Sequence, residues 1–390
     1  MKANINRVIS RLEDIYQCGK KEDGTYTRMA FSEEDVKGRE LFASWAKKLG
    51  MTCHVDEAGN LIAHMDGQDN NLPAIMMGSH LDTVPDGGRY DGVTGCVGGL
   101  EVCEVLKENG KVPKHPIEVI VFTDEEGFRF GKGLLGSSSL CGQDPDVSDD
   151  ELDIYGEPRG EVMKSYGITS ANVMKAKRDP KTVHSFIELH VEQGSRLYKT
   201  HTPIGVVSSI AGVNRYDVTV VGEANHAGST AMADRKDALV AAAGFINKVT
   251  PHSVNVIPGT CTFSLEIRDQ SAEVMKLIEK HLRQLLEDIC KKYGVTSTFV
   301  PTSYHDPAPM SEFVRGTIED AVKELGIDYT IIPSGAFHDS LIMTSVFPTG
   351  MIFVPSKDGI SHSRYEYTAP EDIENGCNVL LNTVLKLDEK

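Results

Sequence analysis

Apolar and polar positions recur along this chain with two periods, and their order predicts its architecture. Leu41, Phe42, Trp45, Ala46 and Leu49 fall at helical spacing behind Ser32-Glu33-Glu34-Asp35, a capping-box-like start, with Gly50 as the stop. Residues 51–57 and 61–67, separated by Ala58-Gly59-Asn60, read as a β-hairpin. The apolar run Leu72 to Met77 predicts a strand over 73–78, then a Gly-rich loop, a helix over 96–109 and a strand over 117–123. This alternation predicts an α/β layer with helices on both faces.

After a strand over 204–209 the pattern changes. A strand over 215–221, a helix over 237–249, a hairpin or strand over 254–268, a long helix over 271–293 and a strand over 295–301 follow. That order is β-α-β-β-α-β, the ferredoxin-like arrangement of helices on an antiparallel sheet. Beyond Pro307-Ala308-Pro309 the first pattern resumes, with a helix over 311–325, strands over 329–332 and 350–354, and a closing helix begun by Pro370. The expectation is an α/β catalytic domain of residues 1–211 and 309–390 carrying an inserted α+β domain over 212–308.

Composition narrows the partners. A net charge of −17 disfavours nucleic acid and anionic membrane, and the basic runs are short pairs such as Lys47-Lys48 and Lys291-Lys292. A small-molecule partner is expected. The 8 cysteines are scattered without a CxxC and read as reduced, buried thiols of a cytoplasmic protein. The first twenty residues are amphipathic and mixed in charge, unlike a signal peptide, and no apolar run reaches membrane-spanning length.

Of 13 histidines, eight have no acidic residue at a telling spacing, which leaves His80, His190, His226, His338 and His362. His80 follows the apolar run 72–77, and Asp82 shares its face in an extended segment, so that the carboxylate can orient the imidazole. Asp91 lies across the Gly-rich loop. The strand over 117–123 ends in Asp124-Glu125-Glu126, whose neighbours point to opposite sides: one glutamate could bind a metal while the next serves as a base. A solvated acidic turn is the plainer reading of that triplet alone. Phe186-Ile187-Glu188-Leu189-His190 and Gly359-Ile360-Ser361-His362 each deliver another imidazole. Strand ends of the larger domain thus offer His, Asp, Glu, His and His, a mixed set suited to two first-row cations about 3.5–4 Å apart that share a carboxylate.

Other motifs are less pointed. Gly131-Lys132-Gly133-Leu134-Leu135-Gly136 matches GxGxxG, but the acidic triplet separates it from its strand, whereas a dinucleotide fingerprint follows its strand directly. In the inserted domain, His226 reads equally as a turn-capping or a catalytic imidazole. Arg268 reads as a surface ion pair or as a planar fork holding a substrate carboxylate.

The segments GSHLDTVPDGGRYDG, FTDEEGFRFGKGLLGS, ELHVEQG, NHAGSTAM, VNVIPG, LEIRD, SGAFHDS and MIFVPSKDGISH resemble those of the dizinc aminoacylase and carboxypeptidase superfamily. The likeness is to its amidohydrolase (hydantoinase/carbamoylase) branch: N-carbamoyl-L-amino acid hydrolases, allantoate and ureidoglycolate amidohydrolases, and β-ureidopropionases. The resemblance implies that His80 and His190 hold one cation, Glu126 and His362 the other, and that Asp91 bridges them. It implies Zn2+ or Mn2+, with Co2+ or Ni2+ also accepted by such donors. Glu125 would be the general base, and His226 of the partner subunit would reach the oxyanion. Asn255 and Arg268 would grip the substrate carboxylate, Gln193 would lie near the site, and Arg215 corresponds to an arginine that touches substrate in allantoate hydrolases. The inserted domain would serve as lid and dimer interface, giving a homodimer. The histidine of ELHVEQG separates this branch from its peptidase cousins, which commonly carry an acid there. Two positions depart from the pattern: Ala231 replaces the usual proline after Thr230, and Phe337 stands where relatives carry a small residue.

The resulting expectation is a cytoplasmic, homodimeric, two-cation amidohydrolase acting on an N-carbamoyl-L-amino acid or allantoate-like ureido acid, releasing ammonia and carbon dioxide. The rivals are a dipeptidase or aminoacylase of the same superfamily, and a catalytically silent protein binding metal or a ureido acid. Loss of the base would mark the silent protein, and Glu125 is present.

Overall fold

The computed structural model describes residues 1–224, 231–245 and 259–390. They separate into two units, Met1–Ile210 with Ala308–Lys390, and Ala211–Pro307.

The first unit contains β1 (Thr52–Val55), β2 (Leu61–Met65), β3 (Ala74–His80), β4 (Ile117–Phe122), β5 (Val183–Val191) and β6 (Ile204–Ile210). The second contains β7 (Gly212–Val221), β8 (Thr260–Asp269) and β9 (Thr296–His305). The chain then returns to the first with β10 (Ala308–Pro309), β11 (Tyr329–Ser334) and β12 (Thr349–Val354). The result is a mixed α/β fold around a central mixed sheet, in the order β1-β2-β4-β3-β5-β12-β6-β10, with β11 also paired to β6. β3 runs parallel to both β4 and β5, and β12 parallel to β5, while β2–β4 and β12–β6 are antiparallel.

Every residue of β3, β4 and β12 is buried, as expected of strands covered on both faces. Alternate side chains feed separate cores. Ile75, Met77, Val119, Leu189 and Val354 pack under the helices Ile5–Gly19, Val93–Glu108 and Pro370–Asp388. Met76, Ile120, Phe122, Phe186 and Phe353 pack on the opposite side with residues of the helices Leu135–Cys141 and Asp339–Met343. By this parity His80, Glu188 and His190 lie on the second face.

The chain differs locally from its pattern. β3 continues past residue 78 because its ladder with β4 extends to the His80–Phe122 pair, which carries the imidazole on the last strand residue. The following helix starts at Val93, three residues before the expected 96. Ser32 caps its helix through the Asp35 N–H at 3.3 Å, but Asp35 reaches beyond the cap to the Phe31 N–H, so the box is not reciprocal. The amphipathic start forms the helix Ile5–Gly19, burying Val8, Leu12, Ile15 and Tyr16. Among the described residues no helix is long and apolar enough to cross a membrane.

In the second unit β8, β7 and β9 form an antiparallel sheet in that order. The helices Ala238–Phe245 and Ala272–Tyr293 share its core of Tyr216, Val218, Val220, Ala241, Met275 and Leu286. Residues 246–258, including the end of the expected helix and the start of the expected 254–268 strand, lie outside the described residues.

One position in β3 tolerates no side chain. Gly78 has φ +150°, and a Cβ there would stand 1.9 Å from the Ile120 carbonyl oxygen in the β3–β4 ladder. Gly78→Ala is therefore expected to cost about 1–3 kcal/mol. The denaturation midpoint measures it, and an unchanged midpoint would show that β3 relaxes freely two residues before His80.

Candidate metal centre

The larger unit brings its sequence-singled acids and imidazoles to the ends of β3, β4 and β5 and to the loop after β12. His80 ends β3 and His190 is the penultimate residue of β5. Asp91 lies just before the helix Val93–Glu108, Glu125 and Glu126 follow β4, and His362 follows β12. Asp124, Gln193 and His362 each hold a left-handed backbone, with φ of 52°, 54° and 51°. Such conformations in residues with a Cβ gather where side chains must be aimed.

Asp91 is the meeting point. Its Oδ1 lies 3.1 Å from His190 Nε2 and 3.6 Å from His80 Nε2, and its Oδ2 lies 3.2 Å from His362 Nε2. Gln193 Nε2 donates to the same Oδ2 at 2.7 Å. His362 Nε2 is also 3.6 Å from Glu126 Oε2, and His80 Nε2 is 3.7 Å from Glu125 Oε2. One ligand atom each from His80, Asp91 and His190 lies within 4.8 Å of the others, and so do those from Asp91, Glu126 and His362. The two sets share Asp91.

Both buried imidazoles are oriented by main-chain oxygens. His80 Nδ1 is 3.0 Å from the Asp82 carbonyl and His190 Nδ1 is 2.9 Å from the Val191 carbonyl. A carbonyl only accepts, so in the neutral rings Nδ1 carries the proton and Nε2 turns a lone pair toward Asp91. This corrects the expected role of Asp82. Its carboxylate is 3.8 Å from His80, and it accepts instead the backbone N–H of Glu125 at 3.3 Å and of Glu126 at 3.1 Å. Asp82 thus orients His80 with its carbonyl and anchors the acidic turn with its carboxylate.

The GxGxxG segment holds the other side of that turn. Leu134 N–H donates to the Glu125 carbonyl at 3.1 Å and Gly136 N–H to the Thr123 carbonyl at 2.9 Å. The motif serves as the return leg of the acidic loop.

The electrostatics describe a cluster built to receive positive charge. Burial lifts Glu125 well above its ordinary value, with Glu126 adding repulsion, and burial with the Asp91 charge lifts Glu126 to about 7. The bond to Asp91 raises His362 to about 9, while burial would lower His80 but Glu125, Asp91 and Asp82 carry it well above its usual value. Acids pushed to hold protons beside imidazoles pulled to gain them are relieved together by divalent cations. The mixed imidazole and carboxylate donors fit such ions.

In the layer behind the site, sequence reasoning kept His338 as a candidate without a role and missed Glu188. Glu188, buried two residues before His190, accepts from Ser79 Oγ at 2.7 Å and from Ser340 N and Oγ at 3.0 and 2.6 Å. His338 stacks edge-on against His190 with ring centroids 4.4 Å apart, and its Nε2 is 3.0 Å from Ser334 Oγ. The shared parity of Glu188 and His190 was the available signal.

Of the remaining candidates, His226 and Asn255 lie outside the described residues. Arg215 and Arg268 belong to the second unit, where their Nε atoms donate to the two oxygens of Glu266 at 2.8 and 2.7 Å.

Residues 76–386 match the model of peptidase family M20/M25/M40. The chain is 37% identical over 400 residues to an N-carbamoyl-L-amino acid amidohydrolase of Geobacillus stearothermophilus, covering 98% of each. It is 32% identical to an allantoate amidohydrolase of Bacillus subtilis, covering 98% of this chain and 97% of that one. A hydantoinase/carbamoylase family amidase from Burkholderia vietnamiensis superposes with a TM-score of 0.89 at 32% identity, covering 100% of this chain and 98% of that one.

Replacing Asp82 by Asn removes one of the two acceptors that hold the Glu125 and Glu126 backbone. Asp82→Asn is expected to weaken cation binding about 10–100-fold, read by equilibrium dialysis with elemental analysis. Wild-type retention would show that the turn holds itself.

Proposed function

The chain belongs to peptidase family M20/M25/M40, and from that premise we propose that it is an amidohydrolase cleaving the carbamoyl C–N bond of an N-carbamoyl-L-amino acid or allantoate-like ureido acid. The observation that carries the reading is the pair of donor sets sharing Asp91, with Glu125 buried beside them. The full-length likeness to amidohydrolases of linear ureido compounds supports the bond type.

In this reading His80 and His190 hold one divalent cation, Glu126 and His362 the second, and Asp91 bridges. Zn2+ or Mn2+ is the proposed pair, with Co2+ or Ni2+ admitted by the same donors. When bound, such cations polarise the ureido carbonyl and bring the pKa of a water toward about 7. Glu125 takes the proton of the attacking water and returns it to the departing nitrogen. Its burial and its closeness to Glu126 hold its carboxyl above the ordinary range, which strengthens it as a proton acceptor. Gln193, donating to Asp91 from a left-handed backbone, presents its amide at the edge of the site. Loss of the carbamoyl group as carbamate would yield ammonia and carbon dioxide with the free amino acid.

The remaining assignments complete the proposal. Arg268 and Asn255 hold the substrate carboxylate, Arg215 contacts the ureido acid, and His226 stabilises the oxyanion. The inserted domain, residues 212–308 of the 1–211 and 309–390 body, is proposed as a ferredoxin-like lid and dimerisation module of a cytoplasmic homodimer. The alternation of its strands and helices and the resemblance of its motifs support this.

The test is ammonia release by cation-loaded protein from allantoate, N-carbamoyl-β-alanine and several N-carbamoyl-L-amino acids, with an N-acetyl amino acid and a dipeptide as controls. Turnover of a ureido acid is expected, and Glu125→Gln should keep its cations while losing several orders of magnitude in kcat. Cleavage of only the acetyl compound or dipeptide would contradict the reading, and loss of cations in Glu125→Gln would mean that the wrong glutamate is the base.

A further inference from the structure

Glu366 stands apart from the residues given roles above, yet it holds the backbone of the bridging aspartate's loop directly. It lies four residues beyond His362 and its side chain is buried. Oε1 accepts the backbone N–H of Tyr90 at 2.8 Å and of Asp91 at 3.1 Å, 275 residues away in sequence. Oε2 accepts from Ser361 Oγ at 2.7 Å. Gly88 makes room for it, since a Cβ at that position would stand 2.1 Å from the Glu366 carboxyl group. One side chain therefore fastens the loop that carries Asp91 to the loop that carries His362.

Ser361 gives this arrangement a chemical consequence. Its Oγ is 2.7 Å from Glu366 and 3.1 Å from Asp91 Oδ2. A hydroxyl has one proton to give, and a carboxylate can only accept. The shorter contact takes the proton to Glu366. Asp91 Oδ2 then accepts from Gln193 without a second donor at Ser361, and keeps a lone pair for a cation. Were the proton turned the other way, it would compete for the oxygen that the Asp91, Glu126 and His362 set needs.

We infer that Glu366 is a positioning residue of the metal centre: it anchors the Asp91 loop through two N–H groups and draws the Ser361 proton away from the bridging carboxylate. The inference rests on the two-cation reading above, and it deepens that reading by naming the group that keeps the bridge available. Outer-layer partners of this kind set metal affinity without touching the metal.

Glu366→Gln separates the two roles. Its amide oxygen can still accept from Tyr90 and Asp91, while its NH2 group donates toward Ser361 and turns the Ser361 proton to Asp91. Affinity for Zn2+ and Mn2+, measured by competition with a chromophoric chelator and without substrate, is expected to fall about 10–100-fold. The thermal midpoint of the cation-free protein should stay near wild type. Adding Ser361→Ala to Glu366→Gln removes the misdirected proton and is expected to recover much of the loss, a rescue that a purely structural role would not give. Unchanged affinity in Glu366→Gln overturns the inference, as does a loss that Ser361→Ala leaves untouched. A wild-type protein that takes up no divalent cation sinks the two-cation reading as well, whereas normal wild-type uptake with an indifferent Glu366→Gln sinks this inference alone.

Discussion

A single buried carboxylate, Asp91, faces three imidazoles with its two oxygens, and the geometry of the larger unit follows from keeping it there. Burial alone would push its proton affinity up, yet the bonds to His190, His362 and His80 hold it well below the carboxylate range. Asp82, Glu125 and Glu126 add further largely buried acids. Each removal of an ion from water costs several kcal/mol, whereas one charge pair at about 4 Å is worth about 4 kcal/mol at the effective dielectric of such sites. Without cations the balancing charge has to come from protons drawn onto the imidazoles and carboxylates, and divalent cations take over that task. The fold spends its rigid central strands on the problem: β3 and β5 are parallel neighbours whose ends bring His80 and His190 to one side of Asp91.

Much of this was legible in the sequence, for a definite reason. Buried parallel strands announce themselves as apolar runs, and a polar residue at the end of such a run has few places to go. His80, Glu126 and His190 were found that way, and the resemblance then supplied a role for each. What periodicity could not fix is which atom of a residue does the work. Asp82 was read as an imidazole's carboxylate partner, but an extended chain leaves its carbonyl nearer the ring, and the carboxylate turns to the Glu125 and Glu126 amides. The GxGxxG segment was set aside as a nucleotide site because of its spacing from the strand. That it forms the return leg of the acidic turn became visible only with the loop's hydrogen bonds. Glu366 and Asp91 meet across most of the chain, and no local pattern encodes such a pairing.

Phe337, Arg215 and Arg268 are less legible still. Phe337, where the resemblance leads one to expect a small residue, packs in part against the core of Phe186, Leu341 and Phe353. Part of its bulk is thereby taken up by packing. Arg215 and Arg268 share Glu266, so that one carboxylate of the chain already fixes the direction of both guanidinium groups. Exposed pairs of this kind contribute little to stability.

Asp91 belongs to both donor sets at once, and cation stoichiometry tests that sharing most directly. Elemental analysis and calorimetric titration of the wild-type chain should give two divalent cations per chain, and Asp91→Asn should hold neither at wild-type affinity. An Asp91→Asn protein that keeps one cation at full affinity would contradict the account, because one set would then be complete without the shared carboxylate.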